Sequence, residues 1–324
     1  MLLNVSDVGV PEIAEVVGRI GFGTSALASM PDTYGYGVDE AQARSTLDAI
    51  FDGPVKLIDT SRNYGLGTAE SLIGAVISER GGPPDDMIIS TKLDRDMSSG
   101  RFDGARARRS LEESLTALSL ERVDVLHLHD PEYARDLDEV TGSDGALDEL
   151  FRIKDEGLAQ AVGIAMGRID TMLPLIRRYP FDVILNHNRF TLLNRQADEL
   201  FDVAHRAGMD VWNAAPYAGG VLAKGSATMP WVTYQPASEA ELEPVRAIER
   251  VCAEFGVPVG AAALQFSLRD PRIDSTIVGV SRPERVAETI AWAEHDIPDA
   301  VWAALSELGY ETGNPEAYRE YKPR

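Results

Sequence analysis

Eight short apolar runs, each followed by an amphipathic helical pattern, constrain the fold of this chain more than any other feature. They alternate from about residue 19 to residue 293 without a low-complexity linker, as repeated strand–helix units do. Eight such units favour a closed parallel barrel over an open doubly wound sheet. The predicted strands cover residues 19–22, 55–59, 87–92, 123–129, 161–164, 183–186, 210–214 and 275–278.

The turns around these runs agree with a barrel. The first strand leads into Gly21-Phe22-Gly23-Thr24, which lacks the G-x-G-x-x-G spacing of an open dinucleotide-binding sheet. Further along the chain, Ser143 or Asp144 is predicted to cap a helix that Gly157 ends.

Residues 215–243 form the longest stretch without a clear pattern, and they are rich in glycine and proline. A loop of this length inside a compact domain is usually functional, so we expect it to close over the site, with Trp231 and Tyr234 as candidate walls. One more helix is predicted at residues 299–308. The sequence therefore predicts one α/β domain over residues 1–324, a (β/α)8 TIM barrel with an extra C-terminal helix and long loops at its C-terminal face.

The charge balance excludes several functional classes. With 31 basic and 52 acidic residues among 324, the formal net charge is −21, whereas binding to a nucleic acid backbone requires clustered cations. The single cysteine, Cys252, cannot form an internal disulfide, and no apolar run approaches the roughly 20 residues of a membrane span. We therefore expect a soluble, cytoplasmic protein with a small-molecule substrate, no nucleic acid or membrane partner and no metal site.

Three predicted strands end in an ionisable side chain: Asp59, Lys92 and His129. Chemistry in a barrel gathers at the C-terminal ends of the strands, so these groups are expected to share one pocket with Tyr64, five residues beyond Asp59. A phenol with a pKa of about 10 is a weak acid at neutral pH, and an adjacent ammonium lowers that pKa. Lys92 is predicted to supply the ammonium, Asp59 to hold it, and His129 to hydrogen-bond a substrate oxygen.

Each of these residues also has a purely structural interpretation. A strand-end Asp or Lys often pairs with a neighbour, and a loop Tyr often packs with its hydroxyl in water. His127 lies two residues before His129 on the same strand, so side-chain alternation does not separate the two. Because His129 is at the strand end, we predict that it is the functional imidazole and that His127 is a hydrogen-bonded core residue.

These motifs in this order resemble the aldo-keto reductase family over essentially the whole chain. The segment Asp59-Thr60-Ser61-Arg62-Asn63-Tyr64-Gly65 resembles its signature, Ser90-Thr91-Lys92 its lysine strand, and Leu128-His129-Asp130-Pro131 its histidine strand. The resemblance implies a catalytic tetrad of Asp59, Tyr64, Lys92 and His129. It also implies hydride transfer with a nicotinamide dinucleotide, with Tyr64 as general acid or base.

The same resemblance implies a cofactor site, with departures from the family pattern. Gly163-Ile164-Ala165-Met166 replaces a Ser-Asn anchor, and the aromatic residue that usually stacks on the nicotinamide is missing near Ala214, where Tyr217 or Trp212 could compensate. His187 either contacts the carboxamide or is a buried imidazole. The implied cofactor residues are Gly23, Thr24, Asp59, Asn186, His187, Pro216, Gly279, Ser281, Arg282, Arg285 and Glu288.

The cofactor is predicted to be NADP or NAD, with NADP slightly favoured. The lysine that often meets the 2′-phosphate aligns with Gly279, while Arg282 and Arg285 remain either as phosphate ligands or as surface charges.

The pattern after His129 and the glycine-rich loop after the seventh strand most resemble the bacterial aldose 1-dehydrogenase and pyridoxal 4-dehydrogenase branch. This implies oxidation of a sugar hemiacetal to a lactone, with Tyr64, His129, Asp130 and Trp231 around the substrate. Two alternatives stay open: an NADPH-dependent reductase of aldehydes or ketones, and a non-catalytic, cofactor-sensing regulatory subunit.

Overall fold

The computed structural model describes residues 18–317, and its centre is a closed barrel of eight parallel strands. The strand order around the barrel is β1-β10-β7-β6-β5-β4-β3-β2, and pairing of β1 with both β2 and β10 closes it. The barrel strands are β1 (Ile20–Gly23), β2 (Leu57–Asp59), β3 (Ile88–Leu93), β4 (Val123–His129), β5 (Ala159–Met166), β6 (Val183–His187), β7 (Asp210–Ala214) and β10 (Ser275–Gly279).

All eight predicted strands are present, so the predicted (β/α)8 barrel is confirmed. Two strands, β4 and β7, have the predicted bounds, and the others differ by one or two residues at an end. The largest difference is in β5, which begins two residues earlier and ends two residues later than predicted. The single-domain prediction covered residues 1–324, of which 1–17 and 318–324 lie outside the described part.

Helices surround the barrel, and the extra C-terminal helix predicted at residues 299–308 is present as Asp299–Ser306. Thirteen α-helices lie wholly within the described residues. They are Pro31–Tyr34, Glu40–Phe51, Thr68–Arg80, Gly104–Leu118, Asp138–Thr141, Ala146–Asp155, Ile169–Arg178, Asp198–Arg206, Val221–Lys224, Glu239–Glu254, Val259–Leu268, Pro283–Ala293 and Asp299–Ser306.

The hydrophobic core has two parts because every strand buries both faces. The larger part lies between the strands and the helices, where side chains such as Phe22, Ile58 and Leu126 are fully buried. The smaller part fills the barrel interior, so the barrel is packed and its polar side chains are pushed to the strand ends. This inner cluster consists of Leu57, Val125, Ala165, Val183, Leu185, Trp212, Ala214 and Ile277.

The predicted cap of the helix Ala146–Asp155 is wrong. Its N-cap is Gly145, with no side-chain cap, whereas Asp144 has a left-handed backbone (φ 58°) and its carboxylate accepts from Arg152. A side chain does not fit at Gly145, because its Cβ would lie 2.6 Å from the Val140 carbonyl oxygen. Gly157 follows the end of this helix in the left-handed conformation, as predicted.

Residues 215–243 are more ordered than predicted. They contain the short helix Val221–Lys224 and an antiparallel hairpin of β8 (Trp231–Val232) and β9 (Gln235–Pro236). The following helix begins at Glu239, inside the predicted loop, because Ser238 and Glu241 form a reciprocal capping box.

The described residues beyond the last helix fold back against the loop after β6. The buried guanidinium of Arg189 donates to Glu316 Oε2 at 2.6 Å and to Asn314 Oδ1 at 2.7 Å. Asn194 Nδ2 donates to the carbonyl oxygen of Gly313 at 2.9 Å. Residues 313–316 therefore contact the loop after β6, a contact that the sequence did not predict.

Among the helices of residues 18–317, no single one is long and apolar enough to cross a membrane. The pair Glu239–Glu254 and Val259–Leu268 meets that test only jointly, with a bend of 100° between its members.

Gly74 tests the close packing of two neighbouring helices. Its ideal Cβ would lie 2.0 Å from the carbonyl oxygen of Ala117, so Gly74→Ala must push the helices apart. We expect the free energy of unfolding to fall by about 1–3 kcal/mol in chemical denaturation. Ser71→Ala, at an exposed position of the same helix, is the control and should change stability by less than about 0.5 kcal/mol. Equal effects of the two substitutions would contradict this packing argument.

Candidate active site

One cavity of about 1130 Å3 opens at the C-terminal mouth of the barrel, and every barrel strand contributes a residue to its wall. Parallel strands all end at the same mouth, so residues far apart in sequence converge there. The strand residues that line it are Gly23, Asp59, Lys92, His129, Ala165, Leu185, His187, Ala214, Ile277 and Gly279.

The floor of the cavity holds a buried ion pair. Lys92 Nζ lies 2.7 Å and 2.8 Å from the two carboxylate oxygens of Asp59, and it donates to the carbonyl oxygen of Thr60 at 2.6 Å. The two side chains are 1% and 4% exposed. A buried ammonium with three oxygen acceptors has a fixed position, as the sequence predicted for Lys92 and Asp59.

Tyr64 lies in the turn after β2, with its ring centroid 4.9 Å from Lys92 Nζ. Burial raises the pKa of its phenol well above the ordinary value of 10, and the charges of Asp59, Asp130 and Asp94 raise it further. This direction is opposite to the one expected from the ammonium. The reason is that Asp59 offsets the charge of Lys92, while burial and the other carboxylates disfavour a phenolate.

His129 has a partner that sequence reasoning missed. Its Nδ1 lies 2.7 Å from Asp94 Oδ1, and the Asp94 side chain is 2% exposed. Burial alone would lower the pKa of the His129 imidazole, but Asp94 and Asp130 outweigh burial and raise it. The signal was present in the sequence, because Asp94 follows Lys92 by two residues and alternate strand residues share a face.

His127 is buried, as predicted, but it lacks the predicted hydrogen bonds within the described residues. Neither of its ring nitrogens has a hydrogen-bond partner in the described part of the chain, and its ring packs edge-on against Trp212 at 5.3 Å. Burial lowers the pKa of His127 well below 6.5, and nearby Lys92 lowers it further. His127 is therefore an uncharged core residue beneath the site.

A group of cations, here called the cationic end, lines one part of the cavity wall. Lys224 and Arg285 line the wall there, next to Ser281 and Gly279. Burial lowers the pKa of the Lys224 ammonium, and the charges of Arg285 and Arg282 lower it further. An ideal Cβ on Gly279 would meet nothing within 4 Å. Crowded cations beside open space fit the phosphate groups of a dinucleotide.

The positions at which the sequence departs from the family pattern, near Ala165 and Ala214, lie in the cavity wall. Ala165 and Ala214 line the wall with small apolar side chains. His187 also lines the wall, with Nδ1 3.3 Å from Asn188 Nδ2 and 3.6 Å from Glu316 Oε2. Tyr217 lines the cavity and packs edge-on against Trp292, whereas Trp212 is in the barrel core.

Some predicted site residues do not line the cavity. Asn186 donates to the carbonyl oxygens of Met166 and Gly167, and Thr24 donates to the carbonyl oxygen of Asp59. Trp231 packs against Gly35, outside the wall. The other predicted residues outside the wall are Pro216, Arg282 and Glu288.

An aromatic cluster that the sequence did not predict forms the roof of the cavity. Tyr34 packs edge-on against Tyr234 at 5.7 Å and lies 6.0 Å from Tyr36, and all three rings line the cavity. Tyr34 and Tyr36 come from the segment after β1, and Tyr234 comes from the hairpin turn. The expectation that the long loop covers the site thus applies to Tyr234, but not to Trp231.

A sequence model of the aldo/keto reductase family matches residues 19–309, which is most of the chain. The chain belongs to the aldo/keto reductase family. It is an oxidoreductase that acts on carbonyl or alcohol groups with a nicotinamide cofactor. The resemblance inferred from the sequence motifs is therefore confirmed.

Three known proteins show how close the similarity is. D-threo-aldose 1-dehydrogenase from Pseudomonas sp is 29% identical, over 83% of this chain and 88% of that protein. Pyridoxal 4-dehydrogenase from Microbacterium luteolum is 25% identical, over 90% and 94%. The structure of an aldo-keto reductase from Bacillus halodurans in its holo form superposes with a TM-score of 0.73 at 19% identity, covering 93% of this chain and 95% of the other.

The buried ion pair predicts an asymmetry between single and double substitutions. Lys92→Met leaves the Asp59 carboxylate buried without its partner, so we expect a loss of about 3–5 kcal/mol of unfolding free energy in addition to lost turnover. In the double variant Lys92→Met with Asp59→Asn, stability should recover by most of that amount while turnover stays absent. Chemical denaturation measures the stability. Additive losses in the double variant would contradict the pairing.

Proposed function

We propose that the protein oxidises the C1 hydroxyl of a cyclic aldose to a lactone, with NADP as its cofactor. The observation that carries the proposal is the convergence of Asp59, Tyr64, Lys92 and His129 on one cavity whose wall also contains the cationic end. The similarity to D-threo-aldose 1-dehydrogenase supports the sugar as substrate class. The single cysteine supports a cytoplasmic location as part of the same proposal.

The cavity wall near the tetrad is suited to a molecule with several hydroxyl groups. Asp130, Asn63 and Tyr34 line the wall around Tyr64 and His129, and each has polar side-chain atoms. Sugar hydroxyls both donate and accept hydrogen bonds, so a ring of carboxylate, amide and phenol groups can satisfy them. The rings of Tyr34 and Tyr234 supply flat apolar surface for the C–H face of a pyranose.

In the proposed reaction, Tyr64 and His129 hold the substrate oxygen. Lys92 Nζ lies beside the Tyr64 ring and is held in place by Asp59. Tyr64 exchanges a proton with the substrate oxygen. When bound, a nicotinamide dinucleotide supplies or accepts the hydride. The small side chains of Ala165 and Ala214 leave room beside His187, whose imidazole is our candidate for the carboxamide contact.

A second function has its own support. Tyr64 and His129 line the same cavity, and a phenol, which is protonated at neutral pH even at its ordinary pKa of about 10, can donate to a carbonyl oxygen. Reduction of aldehydes or ketones by NADPH is therefore our alternative.

An assay of initial rates against a panel of aldoses and aldehydes tests the proposal. We expect lactone formation from fucose- or arabinose-like aldoses, and we expect Tyr64→Phe to lower kcat by about 10²–10⁴-fold, because the substrate hydroxyl loses the group that accepts its proton. Binding of cofactor should be nearly unchanged in that variant. It can be measured by the fluorescence of the four tryptophans, since Trp292 lines the cavity.

Activity confined to aldehyde reduction would favour the reductase instead. Tight cofactor binding without turnover of any substrate would favour the regulatory alternative. Normal turnover by Tyr64→Phe would contradict the assigned site.

The cationic end predicts discrimination between the two cofactors. Arg285→Gln removes a guanidinium from the cavity wall and should weaken NADPH binding by about 10–100-fold, the effect of one lost charge-assisted hydrogen bond. NADH binding should change much less. Arg206→Gln, an exposed position on another helix, is the control. Equal losses for both cofactors would mean that Arg285 contacts the diphosphate that they share, and not the 2′-phosphate.

A further inference from the structure

Ser61, Asp94 and His129 form a buried cluster in which Asp94 and Ser61 have no role in the proposed function so far. His129 Nδ1 lies 2.7 Å from Asp94 Oδ1 and 3.1 Å from Ser61 Oγ. Ser61 Oγ donates to Asp94 Oδ2 at 2.6 Å, and the backbone N–H of Asn63 donates to the same oxygen at 2.9 Å. The side chains of His129 and Asp94 are 9% and 2% exposed.

These contacts decide which ring nitrogen of His129 carries the proton. An ionised carboxylate only accepts hydrogen bonds, so the short contact with Asp94 requires a proton on Nδ1. The Ser61 hydroxyl cannot supply that proton instead, because it already donates to Asp94 Oδ2. Asp94 is ionised, because hydrogen bonds from His129, Ser61 and Asn63 outweigh burial and lower its pKa.

With Nδ1 occupied, Nε2 is the nitrogen whose protonation can change. It lies 3.8 Å from Asp130 Oδ2, and both His129 and Asp130 line the cavity. The titratable groups that face the imidazole come from three elements and their following turns. They are Asp94 and Lys92 at the end of β3, Tyr64 after β2, and His127 and Asp130 on and after β4.

We propose that Asp94 is a positioning residue that fixes the proton on Nδ1 of His129, so that Nε2 offers the substrate oxygen a donor when protonated and an acceptor when neutral. A carbonyl oxygen can only accept a hydrogen bond and therefore binds the protonated form. A hydroxyl can donate and is held by the neutral form as well. The pair thus sets the pH at which the site changes from favouring a carbonyl substrate to favouring a hydroxyl substrate.

Nitrogen-15 NMR of histidine-labelled protein tests whether the proton of neutral His129 is on Nδ1, and it needs no substrate. The chain has five histidines, and His129→Asn identifies the signal of His129. In the wild type we expect the neutral ring to carry its proton on Nδ1 and the ring to titrate above pH 6.5. A neutral ring with its proton on Nε2 would overturn the proposal, and this measurement needs no Asp94 variant to fold.

Asp94→Asn and Asp130→Asn are matched variants, since each replaces one carboxylate near the same ring with an amide of equal size. Asp94→Asn should lower the midpoint of His129 by about 1–3 pH units, the usual effect of removing a close opposite charge. Asp130→Asn should lower it less, because Asp130 is 3.8 Å away and has no short contact with the ring. An equal or smaller shift in Asp94→Asn would overturn the role of Asp94.

Kinetics tests the contact between Nε2 of His129 and the substrate oxygen, a part of the proposal that rests on the proposed function. The KM of an aldehyde substrate should rise when the pH exceeds the His129 midpoint measured by NMR, with a smaller change in kcat. Asp94→Asn should shift the pH of that rise downward by as much as it shifts the NMR midpoint. A KM profile that stays fixed while the NMR midpoint moves would overturn the contact between Nε2 and the substrate oxygen. If the panel contains no substrate at all, the proposed function fails, while NMR still decides the tautomer.

Discussion

Closure of the parallel barrel is the constraint on which the rest of this structure depends. Every neighbouring pair of barrel strands is parallel, and pairing of β1 with both β2 and β10 closes the ring, so the strand ends surround a single mouth. The barrel interior is filled mainly by apolar side chains, including Trp212 and Leu185, so the polar groups that line the cavity gather at the strand ends. The site is a consequence of that packing.

Charge at this mouth is arranged as close opposite pairs. Lys92 is held by Asp59 and His129 by Asp94, and each pair is almost completely buried. A partner at 2.7 Å fixes the position and orientation of each buried group. Tyr64 has no such cationic compensation of its own and stays a phenol. The cations Lys224 and Arg285 line the same cavity.

The sequence predicted the eight strands, the family and the convergence of the four tetrad residues, because short-range patterns encode each strand and its last residue. It did not predict that Asp94 reaches His129 from the neighbouring strand, or that Tyr34 and Tyr234 meet across the cavity. These contacts join segments separated by 35 and 200 positions. Strand alternation places Asp94 on the same face as Lys92, but no local pattern fixes its distance from His129 or the distance between Tyr34 and Tyr234. It also assigned His127 hydrogen bonds that the packing against Trp212 does not provide.

Alternation of strand and helix, read from local hydrophobic periodicity, determined the barrel and therefore the mouth at which chemistry occurs. Only the tertiary structure decided the protonation states of the groups there. The direction of the Tyr64 pKa depends on the sum of burial and several charges from different strands, and the sequence-based expectation included only the nearest ammonium. Residue type and spacing specify which groups meet, whereas protonation depends on how much water remains around them and on every charge within a few ångströms.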